Sequence, residues 1–209
     1  MKTNLGIFIN FAIMKESFVF LAAGFEEIEA ITVIDVLRRA GMNVQTVSIT
    51  SALQVKGAHG ITVNADLLFD NTLFSNPDWL ILPGGMPGAT NLYEFGPLQG
   101  LLRSQLESKE GRIAALCASP AVVLGQLGLL KGEKATCYPG FEHLADGAEI
   151  VDEPVVVSNK FVTGNGPANA LPWALTIVME ALGQEAAAKV ASGMLYYPTE
   201  LNPQVNYFG

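Results

Sequence analysis

The 209-residue chain has few of the side chains that usually mark a site. Two cysteines, Cys117 and Cys137, cannot build a disulfide framework and fit a reducing compartment. Two histidines, His59 and His143, with no Cys or His pair at ligand spacing, exclude a metal centre of the usual kind. Both are read as surface or loop residues. Basic residues number 12 against 20 acidic, the net charge is −8, and no basic run occurs, so a nucleic-acid partner has no electrostatic support. The chain contains no G-x-x-x-x-G-K-S/T. Gly164-Asn165-Gly166-Pro167-Ala168-Asn169 lacks the third glycine of a dinucleotide fingerprint, and Pro167 removes a backbone donor. It is read as a tight strand-to-helix turn, as is Gly84-Gly85-Met86-Pro87-Gly88. The apolar stretch Leu5 to Ile13 is too short to span a membrane, and no good small-residue cleavage site follows it. Met14 is expected to be the true start. Residues 1–13 are then a start-site extension, and residues 14–209 form one cytoplasmic domain without membrane contact.

What the chain does have is a core. Half its residues are hydrophobic and 15% are charged, which suits a globular protein. Short apolar runs alternate with helical stretches. Strands are expected at 17–24, 43–50, 79–82, 112–117, 134–137, 155–157 and 161–163, and a hairpin at 53–63. Helices are expected over 26–40, 98–109, from Pro120 onward, and over 168–182, followed by a polar-aromatic tail. Acids open the first helix, Arg38-Arg39 close it, and Gly41 stops it, an order that matches the helix dipole. Alternation of this kind implies right-handed crossovers and a mostly parallel sheet covered on both faces. Ligands then sit beyond the carboxyl ends of the strands.

One strand end draws notice. RIAALC runs straight into ASPAVVL, so Cys117 stands where a strand turns into a helix, with Pro120 suited to the first helical turn. Unpaired N–H groups there favour a thiolate, and thiol pKa values in such places fall from about 8.5 to roughly 3.5–7.5. This is nucleophile-elbow geometry with cysteine in place of serine. A buried structural cysteine is the competing reading. Gly84 and Gly85, ending a neighbouring strand, can offer backbone N–H groups to an oxyanion. Glu29 shares a helical stripe with Val33, Val36 and Ala40, and there a carboxyl would hold its proton. Glu26 shares a similar stripe with Ala30, Val33 and Leu37, and periodicity does not choose between them.

The ordered segments LAAGFEEIEAITVIDVLRRAGM, LPGGMPGATNL, IAALCASPAVVL and KATCYP resemble the ThiJ/PfpI superfamily, in the branch of the parkinsonism-associated deglycase and bacterial YajL. The likeness runs from about Ser17 to Met194. It implies a flavodoxin-like three-layer α/β sandwich, a homodimer, and no cofactor. It places Cys117 at the family's reactive cysteine and Glu29 at the glutamate that hydrogen-bonds it. Gly84 and Gly85 fall on the backbone facing that cysteine, and Arg38 on an arginine near the dimer contact. There are departures. Ala118 replaces the histidine that follows the cysteine in PfpI-type peptidases. Tyr138 replaces a histidine of the human member, no motif places His143, and Ser119 replaces a common glycine.

The activity implied is cysteine-dependent conversion of α-oxoaldehydes such as methylglyoxal, or their adducts on thiols and amines, to lactate (glyoxalase III or deglycase chemistry). The alternative is a redox-sensing stress protein or chaperone that uses the same oxidisable Cys117.

Overall fold

The computed structural model describes residues 15–196. The 1–13 extension, and the tail beyond residue 196, lie outside the described residues. Eleven strands are present among those described: β1 Glu16–Leu21, β2 Asn43–Ser48, β3 Gln54–Lys56, β4 Thr62–Asn64, β5 Leu67–Leu68, β6 Trp79–Leu82, β7 Arg112–Leu116, β8 Lys134–Ala135, β9 Glu149–Ile150, β10 Val155–Ser158 and β11 Phe161–Gly164. The α-helices are α1 Glu27–Arg39, α2 Gly88–Glu94, α3 Gly96–Glu107, α4 Ala170–Leu182 and α5 Gln184–Gly193.

Seven strands form one sheet in the order β10-β11-β7-β6-β1-β2-β5. All its pairs are parallel except β10 with β11. Both faces are covered, which explains the unbroken apolar runs. On β1, Val19 and Leu21 pack with Val33, Leu37, Trp173 and Ile177 of α1 and α4. Phe18 and Phe20 point the other way, toward Leu92, Leu98 and Leu102 of α2 and α3. The expected three-layer sandwich with a mostly parallel sheet is thus what the chain forms. The hairpin is also present: β3 and β4 pair antiparallel, whereas β8 and β9 pair in parallel.

Strand order reverses between β1 and β6, and a crevice opens at the carboxyl ends of such strands. Three loops meet there: 22–26 after β1, 83–87 after β6, and 117–119 after β7.

Several elements differ from expectation. α2 starts at the end of the Gly84–Gly88 strand-to-helix turn, ahead of the helix expected from residue 98. α5 forms where a tail was expected: Gly183, at φ 91°, ends α4, and the alanine-rich QEAAAKVASG starts afresh. Residues Pro120–Gly125 make a wide helix rather than an α-helix, with Gln126 N–H on Ala121 O and Leu129 N–H on Leu124 O, five residues apart. The strand expected over 134–137 stops at Ala135 and pairs with β9 instead of joining the main sheet. No helix among the described residues is long and apolar enough to cross a membrane.

Trp173 fixes α4 to the sheet. It is fully buried, and its Nε1–H donates to Val162 O at 3.1 Å. Trp173→Ala is expected to destabilise the fold by about 3–5 kcal/mol. Urea unfolding should show a lower midpoint with an unchanged slope.

Candidate active site

Cys117 follows the last residue of β7 and adopts φ 62°, a left-handed conformation that non-glycine residues seldom take. The surrounding chain holds it there. Its N–H donates to Gly164 O at 2.9 Å, and its carbonyl accepts from Tyr138 N–H at 2.8 Å. Ala118 and Ser119 are buried directly behind it. The residue is 8% exposed, so it sits at the floor of the crevice rather than on the surface.

Glu29 reaches the same point from the first turn of α1. It is fully buried. Its Oε2 accepts from the Gly84 N–H at 2.6 Å. Its Oε1 is buried without another hydrogen-bond partner among the described residues. The polar side chain coupled to that carboxyl is the Cys117 thiol. Gly84 makes the approach possible, because a Cβ there would stand 2.6 Å from Cys117 Cβ and 2.8 Å from Glu29 Oε2. Gly85 is equally constrained, at φ 90° and with a Cβ there standing 2.7 Å from Gly24 O and against the Glu26 N. The structure also separates the two glutamates that periodicity leaves open. Glu26 caps α1, its Oε2 accepting from Glu29 N–H at 2.7 Å, while Glu29 faces the thiol.

Burial pushes Glu29 up to about 7, against the pull of the Gly84 N–H and the thiol. Burial, and next the charge of Glu29, push Cys117 up to about 12. The N–H groups of Gly85 and Ala118 act on the sulfur in the opposite sense but do not prevail. The lowered thiol pKa expected from a helix start is therefore corrected: desolvation and the neighbouring carboxyl outweigh the local N–H groups. The two groups are best treated together. They release one proton near 7 and retain the other to about 12, so across that range the pair carries one proton and one negative charge.

Cys117, Glu29, Gly84 and Gly85 thus converge, though with altered parts. The Gly84 N–H is committed to Glu29. The second donor facing the sulfur, beside Gly85, is Ala118. Sequence reasoning missed it because a main-chain N–H has no residue signature. The signal available was the elbow itself, whose turn aims the following amide at the nucleophile. Tyr138 borders the site: its ring lies beside Gly166 and is about half exposed. His143 does not reach it, and its Nδ1 lies 3.0 Å from Gly140 O. Arg38 pairs with Asp66 at 2.6 Å, away from the sulfur. Cys137 is buried just past β8, and burial pushes it up to about 11.

His59 lies at the tip of the hairpin, where its Nδ1 meets Glu27 Oε2 at 2.8 Å and Glu26 Oε1 at 3.8 Å. This is the one group of three metal-type ligands among the described residues. Its acids already have partners. Glu27 accepts from the His59 and Ile61 N–H groups, and Glu26 caps the helix. The cluster anchors the hairpin to α1.

Comparison with known proteins gives a consistent result. Residues 15–180 match the DJ-1/PfpI family. The chain is 38% identical over 195 residues to DJ-1 homolog B of Arabidopsis thaliana, covering 92% of this chain but 43% of that protein, so it spans less than half of that relative's length. It is 36% identical over 162 residues to the glutathione-independent glyoxalase DJR-1.2 of Caenorhabditis elegans, covering 77% of this chain and 84% of that one. The structure of oxidized Toxoplasma gondii DJ-1 superposes with a TM-score of 0.83 at 39% identity, covering 88% of this chain and all of the other. With the elbow, the strand order and the motif match in agreement, the chain belongs to the DJ-1/PfpI family.

Proposed function

We propose that this protein is a cofactor-independent, cysteine-dependent enzyme acting on α-oxoaldehydes such as methylglyoxal, or on their adducts. The observation that carries the reading is the Cys117–Glu29 pair, buried together at the crevice with Glu29 Oε2 held by the Gly84 N–H. A name in the family lends it weight, since the nematode relative is a glutathione-independent glyoxalase.

The single charge of the pair rests mainly on Glu29, and the Gly85 and Ala118 N–H groups favour the second arrangement, in which the Cys117 proton has passed to Glu29 and the charge is on sulfur. In the thiolate form Glu29 is a neutral acid that donates to sulfur. The thiolate attacks the aldehyde carbon, and Glu29 gives its proton to the carbonyl oxygen, forming a hemithioacetal and becoming a carboxylate. That carboxylate removes the proton from the same carbon and returns it to the adjacent carbon, while the hydroxyl proton on the first carbon passes to the oxygen of the second, leaving a lactoyl thioester. Water cleaves the thioester, giving lactate and the free thiol. The sum is methylglyoxal plus water to lactic acid, with no external oxidant or reductant.

A second reading rests on the same sulfur. Peroxide oxidises an accessible thiolate to sulfenic and then sulfinic acid. The structural neighbour from Toxoplasma gondii is described as oxidized. A sensor of this kind consumes oxidant once, whereas an enzyme makes lactate repeatedly.

The family resemblance also favours a homodimer. Ile28 and Ile31 on α1 and Ile61 beside the hairpin tip are exposed apolar side chains, and Glu27 joins those two elements. Light scattering at micromolar concentration should give about twice the 22.2 kDa chain mass. A clean monomer would remove this assignment.

The proton inventory of the pair yields a direct test. Alkylation of Cys117 by iodoacetamide should accelerate as pH rises through about 7, while Cys137 stays slow. A Cys117 rate that climbs only toward about 12 would mean that the thiol proton does not pass to Glu29, and would sink the mechanism.

Glu29→Gln keeps a donor to sulfur but cannot carry protons. Lactate formation from methylglyoxal should fall by about 10²–10⁴, and Cys117→Ala should abolish it. Normal turnover by Glu29→Gln would favour the oxidation reading.

A further inference from the structure

A buried hydroxyl joins the two halves of the site. Ser119 is fully buried two residues after the nucleophile, and its Oγ–H donates to Pro83 O at 2.6 Å. The residue stands at the start of the Pro120–Gly125 helix, where a serine ordinarily turns its oxygen onto the N–H groups of the first turn. Ser119 makes no such capping bond. Its hydroxyl crosses instead to the loop that follows β6.

What lies on either side of that bond gives it meaning. The β6–β7 ladder pairs residues only as far as Leu82 with Ala115. Beyond it the two chains part, one toward Gly84 and Gly85, the other toward Cys117 and Ala118. The two N–H groups that face the sulfur come one from each chain, Gly85 from the first and Ala118 from the second. The Gly84 N–H that holds Glu29 Oε2 also lies on the first chain, one residue after Pro83. The distance between these chains therefore decides whether the donors converge on one atom. Gly84 and Cys117 touch closely, but that contact resists only compression. The Ser119 hydroxyl supplies the opposite restraint, a bond that resists separation.

We propose that Ser119 is a positioning residue. Its hydroxyl holds the Pro83–Gly85 loop against the Cys117–Ala118 elbow, so that the Gly85 and Ala118 N–H groups meet on the sulfur, or on an oxyanion formed beside it. The proposal rests on Cys117 as the reacting atom and not on which substrate it attacks. Ser119 touches no reacting atom itself and acts through the two amides. A group misplaced by a fraction of an ångström loses much of its effect on a developing charge.

Ser119→Ala removes the hydroxyl and leaves a smaller side chain. Ser119→Gly removes the methylene as well. Each is to be compared with wild type in three measurements: the pH profile of Cys117 alkylation by iodoacetamide, kcat and KM for lactate formation from methylglyoxal, and the urea midpoint. The expected result for Ser119→Ala is an alkylation profile displaced to higher pH, with a rate about tenfold lower at pH 7. The same variant should lose about tenfold in kcat with KM little changed. A role confined to stability would lower the urea midpoint and leave the alkylation profile of the folded protein on that of wild type, and this overturns the proposal. If both variants are unfolded, the hydroxyl holds the fold rather than the donors, and the proposal is overturned as well. Alkylation needs no substrate. Should the wild-type protein form no lactate, the proposed function fails while the alkylation profiles still decide the role of Ser119.

Discussion

A carboxyl group sealed from water is unfavourable unless its oxygens are answered. Glu29 is in that position, and the bond from the Gly84 N–H at 2.6 Å is what answers one of them. The other oxygen is buried with no hydrogen-bond partner among the described residues, and the Cys117 thiol coupled to the carboxyl is itself nearly buried. Burial raises the proton affinity of both groups, and the charge of Glu29 raises that of the thiol further, because neither can export its charge to solvent. The site is thus a proton trap before it is anything else. The chemistry proposed for it, on aldehydes or on peroxide, begins from one proton and one charge that the pair must share.

Keeping that pair together places demands on the whole sheet. Glu29 comes from the helix after β1, Gly84 from the loop after β6, and Cys117 from the end of β7. These three strands are consecutive in the sheet, and the order reverses between β1 and β6. The crossover helices on either face bring their connecting loops to one edge. At that edge no side chain larger than hydrogen fits at position 84. The positive φ of Cys117 is the counterpart of this constraint, since the turn that lifts the sulfur out of β7 is one that a β-carbon disfavours.

Much of this was legible in the chain. The apolar runs at Phe18–Leu21 and Ile113–Leu116 read as strands covered on both faces, and they are. The charge order and the glycine stop placed α1 to within a residue or two. What did not show was anything set by depth or by main chain. Stripes through Glu26 and Glu29 look alike at 3.6-residue spacing, and both residues are in fact buried; only the position of the β6 loop tells them apart. The desolvation of Cys117 was hidden for the same reason, so the helix start was given more influence on the thiol than it has. Ala118 escaped because its contribution is an amide. Helix α5 escaped because a glycine after Leu182 looks like an ending, and here it is a joint.

The first turn of α1 holds three buried acids with three different partners. Glu26 closes the helix end, Glu27 grips the hairpin through the N–H groups of His59 and Ile61, and Glu29 meets the thiol. Burial pushes Glu27 up, yet those N–H groups and the His59 ring bring it below the usual carboxylate range, so it is charged where Glu29 is not. The assignment depends on helical phase alone, at about 100° per residue. Loss or gain of one residue within GFEEIEA would turn each acid toward another's partner, putting a charge beside the sulfur and leaving the hairpin without its anchor. This heptapeptide is therefore intolerant of length change in a way that its composition, three glutamates at a helix start, does not reveal.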